Sequence, residues 1–269
     1  VIHLTDTGYP PGTIILAAGV QPRYYEFHLS LDAVKAPVGT KLHIERSCDI
    51  TQNFNGGIKR MTGEWAWFLA DDHSFEPDIL LRFLKFDVDV VVPISPSKVA
   101  PWMPCMMHGP SDTDEGFWQE NMLLYDWDEL SGEGLLALPK GDFIGQAGML
   151  VKKSVLDRIK YPWFKAGQFD PGRLQEDMMF CRELQQLGYT VWVDQETIFD
   201  HHFIIGVTAR KHKGKWVPAL KSSNRHIIVL PDAKPIYNAA VPPREGRPAT
   251  KWHRLPNEAD YIKSVEAAA

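Results

Sequence analysis

Apolar residues fall in short blocks divided by turn formers, and the blocks alternate between strand-sized runs and patterns spaced by three or four, as amphipathic helices require. The run Thr13-Ile14-Ile15-Leu16-Ala17-Ala18 is of strand length and stops at Gly19. A helix is expected from about Pro22, whose fixed φ suits a first helical turn. Residues 41–45 predict a second strand, and a turn-rich stretch through Ser47 and Asp49 leads to a helix over residues 55–61, closed by Gly63. The aromatic-rich run over residues 64–70 reads as a central strand that ends abruptly at Asp71-Asp72-His73. A helix carrying Ile79, Leu80, Phe83 and Leu84 follows, then a strand over residues 89–92.

From residue 93 to residue 140 the periodicity fades. A connection of that length tends to be a binding loop, and an acceptor-facing excursion with a short strand near residues 121–125 is expected; a hydrophobic hairpin packed on the sheet is the competing reading for its methionines. Order returns over residues 143–151. Helices are expected over residues 154–159 and 174–187, the second with Leu174, Met178, Cys181, Leu184 and Leu187 on one face. Gly188 stops it, and residues 189–193 form another strand. The chain then turns basic, and from residue 231 to residue 250 it is rich in Pro and Gly, as an arm would be. Alternating strands and helices define an α/β fold with a mostly parallel sheet flanked by helices.

With 269 residues, 44% of them hydrophobic, the chain is long enough to bury a large core. A net charge of −5 argues against a surface that binds polyanions over a whole face, which directs attention to a cleft. Cys48, Cys105 and Cys181 are too few and too scattered for a disulfide framework, so a reducing compartment is expected. No apolar run approaches the roughly 20 residues of a membrane helix. With no secretory leader visible, the expected location is the cytoplasm, a host cytoplasm if the gene is a phage's.

Asp71-Asp72-His73 sits where a central strand leaves the sheet, the edge at which open α/β sheets bind ligands. A divalent ion needs oxygen or imidazole ligands at a rigid point. Asp71 and His73 face one side if the chain stays extended; alternatively Asp72 takes the ion and Asp71 accepts a ribose hydroxyl. His201 or His202, in Asp200-His201-His202, would close the coordination from across the cleft. Such a set suits Mn²⁺ or Mg²⁺ better than structural zinc. Glu176 and Asp177 begin a helix, where the dipole favours acids; Asp177 is the preferred general base and Glu176 its neighbour or a ligand of sugar hydroxyls. In the basic run over residues 210–216, Lys211 and Lys213 are candidates to fold over phosphates.

Ordered pieces of this sequence resemble the GT-A fold glycosyltransferases, particularly family 2. They are residues 55–64, the Phe68-Leu69-Ala70-Asp71-Asp72-His73 element, residues 143–151, and Pro162-Trp163-Phe164 with Glu176-Asp177, Gly188-Tyr189 and His201. The likeness spans roughly residues 12–205. It implies a Rossmann-like sheet with a smaller mixed sheet on the acceptor side, and transfer of a sugar from a nucleoside-diphosphate sugar, UDP-linked by preference, to a hydroxyl acceptor. Glu45, Asp49 and Asn55 become candidates for base and ribose contacts, and Gly145 and Gly148 for the segment beneath the donor sugar. The implied organisation is a catalytic domain over residues 1–230, with a donor half at 12–95, an acceptor half at 96–205 and a lid at 203–230, then an extension over 231–269. The acceptor class stays open among glycans, small molecules and the hydroxymethylated pyrimidines of phage DNA. Nucleotidyl transfer and a silent carbohydrate-binding protein are the rival functions.

Overall fold

The computed structural model describes residues 2–228 apart from 20–23, 48, 99–102, 110–123, 166, 170–171, 203–204, 213–214 and 223–224. Residues up to 202 form one compact unit and those from 203 onward a second.

Seven strands build the main sheet of the first unit: β1 (Thr13–Ala18), β2 (Lys41–Arg46), β3 (Trp65–Ala70), β4 (Val90–Ile94), β5 (Leu135–Ala137), β6 (Leu150–Lys152) and β7 (Trp192–Ile198). Their order across the sheet is β2-β1-β3-β6-β4-β7-β5. β1 runs parallel to β2 and β3, and β4 runs parallel to β7, whereas β6 lies antiparallel between β3 and β4 and β5 lies antiparallel at the edge. The sheet is therefore mixed and open, and the expectation of a mostly parallel one is corrected at β5 and β6. A short apolar run such as Leu150-Val151 reads the same in either direction, so its polarity is set by the chain path and not by its residues.

Both faces of the sheet are buried, and alternate residues serve different cores. Ile15, Ala17, Ala66 and Phe68 join Phe54 and Ile58 of α2 (Ile50–Lys59) and Phe180 and Leu184 of α5 (Glu176–Gln186). Ile14, Leu16, Trp67 and Leu69 face Phe27 and Leu31 of α1 (Tyr25–Ala33) and Leu80 and Phe83 of α3 (Ile79–Phe86). The short helix α4 (Lys153–Leu156) follows β6 directly.

Helix boundaries follow capping chemistry. α2 starts earlier than its apolar spacing suggests because Asp49 caps it, accepting from Thr51 N at 2.8 Å and Gln52 N at 3.4 Å. α5 starts after Leu174, which belongs instead to a two-stranded ladder, Gly167–Phe169 with Gly172–Leu174. At Gly57 a Cβ would stand 2.2 Å from Ile15 Cγ2, so the missing side chain is what lets α2 lie close on β1.

Met106–Met107 pairs antiparallel with Phe143–Ile144, and Met106 is buried in the core, as the hairpin reading of the methionines expected. Leu124 bridges to Met107; residues 121–123 of the anticipated strand lie outside the described residues. The second unit contains an antiparallel sheet of Ile205–His212, Lys215–Ser222 and Arg225–Ile228. Among the described residues no helix is long and apolar enough to cross a membrane.

Candidate metal centre

β1, β2, β3, β4 and β7 point the same way, so the segments that follow them collect at one edge of the sheet. Gly19, Asp49, Asp71-Asp72-His73, Ser95-Pro96 and Asp200-His201 all arrive there by topology alone, and so does the segment before β6 that carries Gly145 and Gly148.

The chain does not stay extended after β3. Asp71 and Asp72 form a turn, and His73–Ser74 then pairs antiparallel with Asp200–His201, placing His73 opposite His201. Their rings stack with centroids 4.0 Å apart at 19°. The carboxylate of Asp72 lies against both. Ligand atoms of Asp72, His73 and His201 all fall within 4.8 Å of one another.

Each imidazole is oriented from behind. His201 Nδ1 is 2.8 Å from the carbonyl of Pro96, so Nδ1 carries the hydrogen and Nε2 is turned to Asp72 Oδ2, 3.5 Å away. His73 Nε2 is 3.1 Å from Ser95 Oγ, which leaves Nδ1 turned to Asp72 Oδ1. That pair is 2.8 Å apart, yet neither buried atom has a hydrogen-bond partner. A short separation alone does not make a hydrogen bond, which weakens steeply off line. Buried polar atoms are rarely left so, and two of them facing each other fit a cation between.

Burial pushes the His73 imidazole below its ordinary pKa against the pull of Asp72, so the ring is neutral near pH 7, the form that ligates. Burial also raises Asp72, but the pull of the His201, His73 and Lys98 side chains around it outweighs burial and holds the carboxyl well below the usual range. The donor set of one carboxylate and two imidazoles is three protein ligands, fewer than a closed structural site uses, and fits a catalytic divalent ion better.

The other candidate residues are placed as follows. Asp71 Oδ2 accepts from Gly19 N at 3.0 Å, tying the ends of β1 and β3 together. His202 is turned away from Asp72, with Nε2 2.8 Å from Ser74 Oγ and its ring stacked on Tyr24. Glu45 pairs with Arg60 beside Gly56. Asn55, in mid-helix and buried, exchanges two hydrogen bonds with the backbone of Phe164, donating at 2.7 Å and accepting at 3.0 Å. Gly148 has φ +78° and no room for a side chain.

Asp177 stands at the first turn of α5, its Oδ1 accepting from Met178 N at 2.7 Å and its Oδ2 3.8 Å from where a Gly145 Cβ would be. Burial first, and Glu176 second, push its carboxyl up to about 6. A backbone path joins it to the ligand cluster: Gly145 N donates to Cys105 O, Cys105 N donates to Ser95 O, and Ser95 Oγ meets His73. Lys211 lies on the strand Ile205–His212 of the second unit, and Lys213 lies outside the described residues.

Ser95, Pro96 and Lys98 were missed from sequence. Lys98 Nζ contacts Asp72 Oδ2 directly. All three follow β4 at the edge where β3 ends, which was the available signal: once one strand end carries an acid, its parallel neighbours' ends belong to the same site.

These features define an α/β protein with an open mixed sheet and a candidate divalent-ion centre at the edge where its parallel strands end. No protein-family profile matches the chain, and no curated protein does. Among solved structures, the crystal structure of A197 from STIV is similar at 13% identity and TM-score 0.42, over 84% of this chain and 98% of that one. The inositol-1-phosphate CTP transferase from T. maritima is similar at 11% identity and TM-score 0.36, over 71% of this chain and 69% of that one. Likenesses this distant leave the chemistry to be read from the residues themselves.

Proposed function

We propose that the protein is a metal-dependent glycosyltransferase of the GT-A kind, moving a sugar from a nucleoside-diphosphate sugar to a hydroxyl acceptor. The observation that carries this reading is the cluster of Asp72, His73 and His201, whose ligand atoms gather at the sheet edge, with buried Asp72 Oδ1 and His73 Nδ1 facing each other. Those three residues would hold Mn²⁺ or Mg²⁺. A bound ion acts as a Lewis acid, neutralising charge that develops on a leaving diphosphate.

The chain's own groups supply the rest. Asp177, with its carboxyl raised to about 6, is ionised at neutral pH yet still basic enough to take the proton of an attacking hydroxyl. Glu176 keeps that carboxyl raised and is the candidate to bind sugar hydroxyls. Gly145 leaves space beside Asp177, where a Cβ would otherwise sit. Asp71, at the ends of β1 and β3, is the candidate for the ribose.

The test is a donor panel of UDP-, GDP- and dTDP-sugars with Mn²⁺, with and without glycan, small-molecule and hydroxymethylated-DNA acceptors. Nucleoside diphosphate should be released, and Asp72→Ala and His201→Ala should each slow release by at least about 100-fold, the upper end of what losing a mere supporting partner of a metal site costs. Pyrophosphate released from a nucleoside triphosphate and a sugar phosphate, with no diphosphate from any sugar donor, would replace this reading with nucleotidyl transfer.

A further inference from the structure

We propose that Lys98 competes with the divalent ion for Asp72, and that a nucleoside diphosphate relieves the competition, so that ion and nucleotide bind synergistically. This rests on reading Asp72, His73 and His201 as the ion's ligands.

The ammonium of Lys98 and Nε2 of His201 share one oxygen of Asp72, Oδ2, while Oδ1 faces His73. An ammonium group carries only donors, so it cannot join a coordination sphere. It can only take up acceptor capacity on Oδ2, the oxygen that faces His201 and would otherwise be open to the ion. Left in place, it would also set a positive charge beside a divalent one in a cleft where Asp72 is only 23% exposed, and repulsion there is poorly screened. Ion binding therefore opposes the Lys98 contact and is favoured when Lys98 moves.

The backbone leading up to Lys98 is anchored. Pro96 is held by a bridge to Pro104, and its carbonyl is bonded to His201; Ser97 N donates to Met103 O at 2.8 Å. Lys98 hangs from this fixed backbone on a flexible four-carbon stem, so a displaced ammonium stays close to the same cleft. Phosphoryl oxygens brought in with the ion would give it a new anionic partner. A lone ion, or an uncharged nucleoside, would not. The chemistry thus selects ligands that carry a diphosphate.

Mn²⁺ binding to the whole protein, followed by calorimetry or by loss of the free-ion paramagnetic signal, tests this with and without saturating UDP, GDP or dTDP. In the parent, the best diphosphate should tighten Mn²⁺ binding by about 10-fold or more, within the ordinary range of coupling between sites. Lys98→Met should tighten Mn²⁺ binding without nucleotide by about 10-fold and shrink the nucleotide's effect, because the competitor is gone. Lys98→Arg, which keeps the charge, should behave as the parent. Lys98→Met with the parent's ion affinity and the parent's nucleotide effect would overturn the proposal, as would an arginine variant indistinguishable from the methionine one. A parent that binds Mn²⁺ with no response to any diphosphate overturns the synergy. If Asp72→Ala binds Mn²⁺ as the parent does, the ion site itself fails, and the two failures stay distinct.

Discussion

Asn55→Ala separates a ligand-binding asparagine from a structural one. Its amide clasps both backbone groups of Phe164, a residue with no exposed surface, so truncation strands a buried N–H and a buried carbonyl together. Each such group costs about 1–3 kcal/mol when left unpaired, or about 2–6 kcal/mol for the two. An open cleft of about 400 Å³ reaches both Asn55 and Phe164, and water entering from it would restore part of the bonding. The loss should therefore fall in the lower half of that range, about 2–3 kcal/mol. Urea unfolding of parent and variant, compared by midpoint at equal slope, measures it. Under conditions where both are folded, diphosphate affinity should be unchanged. A variant that keeps its stability within about 0.5 kcal/mol, the scatter expected of an ordinary surface change, and loses nucleotide binding would refute the reasoning and return Asn55 to the donor site.

If Asp177 is the base, kcat/KM at saturating Mn²⁺ should rise with pH through about 6 and level off above it, and Asp177→Asn should lower the plateau by on the order of 10²–10⁴-fold and abolish the rise. Its raised folded-state pKa also means that stability is full below the ordinary carboxylate value of 3.8 and is lost as pH climbs through about 6; Asp177→Asn should flatten that slope in unfolding midpoints taken from pH 4 to pH 7. Gly148→Ala should cost about 2–5 kcal/mol in urea unfolding, since it adds left-handed strain to overpacking: a Cβ there would lie 2.5 Å from Phe199 Cε2 and 2.6 Å from Pro93 Cγ. A loss below about 1 kcal/mol would mean that Phe199 can step aside.

Much of the sheet was legible because its two-sided burial writes unbroken apolar runs. Thr13–Ala18 forms the strand its pattern predicts, and Trp65–Ala70 ends at the acids as expected. The ion cluster was legible as residues but not as geometry. Alternation would have paired Asp71 with His73, whereas the turn after Ala70 turns Asp72 toward the imidazoles and leaves Asp71 on Gly19. Choosing between His201 and His202 required the ladder register, which only the partner strand reveals. Asp49 illustrates the ambiguity of short polar side chains: read as a nucleotide contact, it caps α2, and its bond from Thr51 holds its carboxyl below the ordinary value against its slight burial. Lys98 escaped because the segment that carries it has no periodicity to read.

The ladder that sets His73 against His201 also joins distant parts of the chain; the Ser74–His202 bond beside it spans 128 residues. A ribosome making this protein would release Asp72 and His73 long before the third ligand exists. If these residues hold an ion, its capture would wait until the final strand of the first unit is synthesised and docked, and a nascent or clipped chain ending short of residue 201 would offer metal only two of the three ligands. Once captured, the ion would act as a rivet closing a very long loop, so holding it and having finished folding become one event.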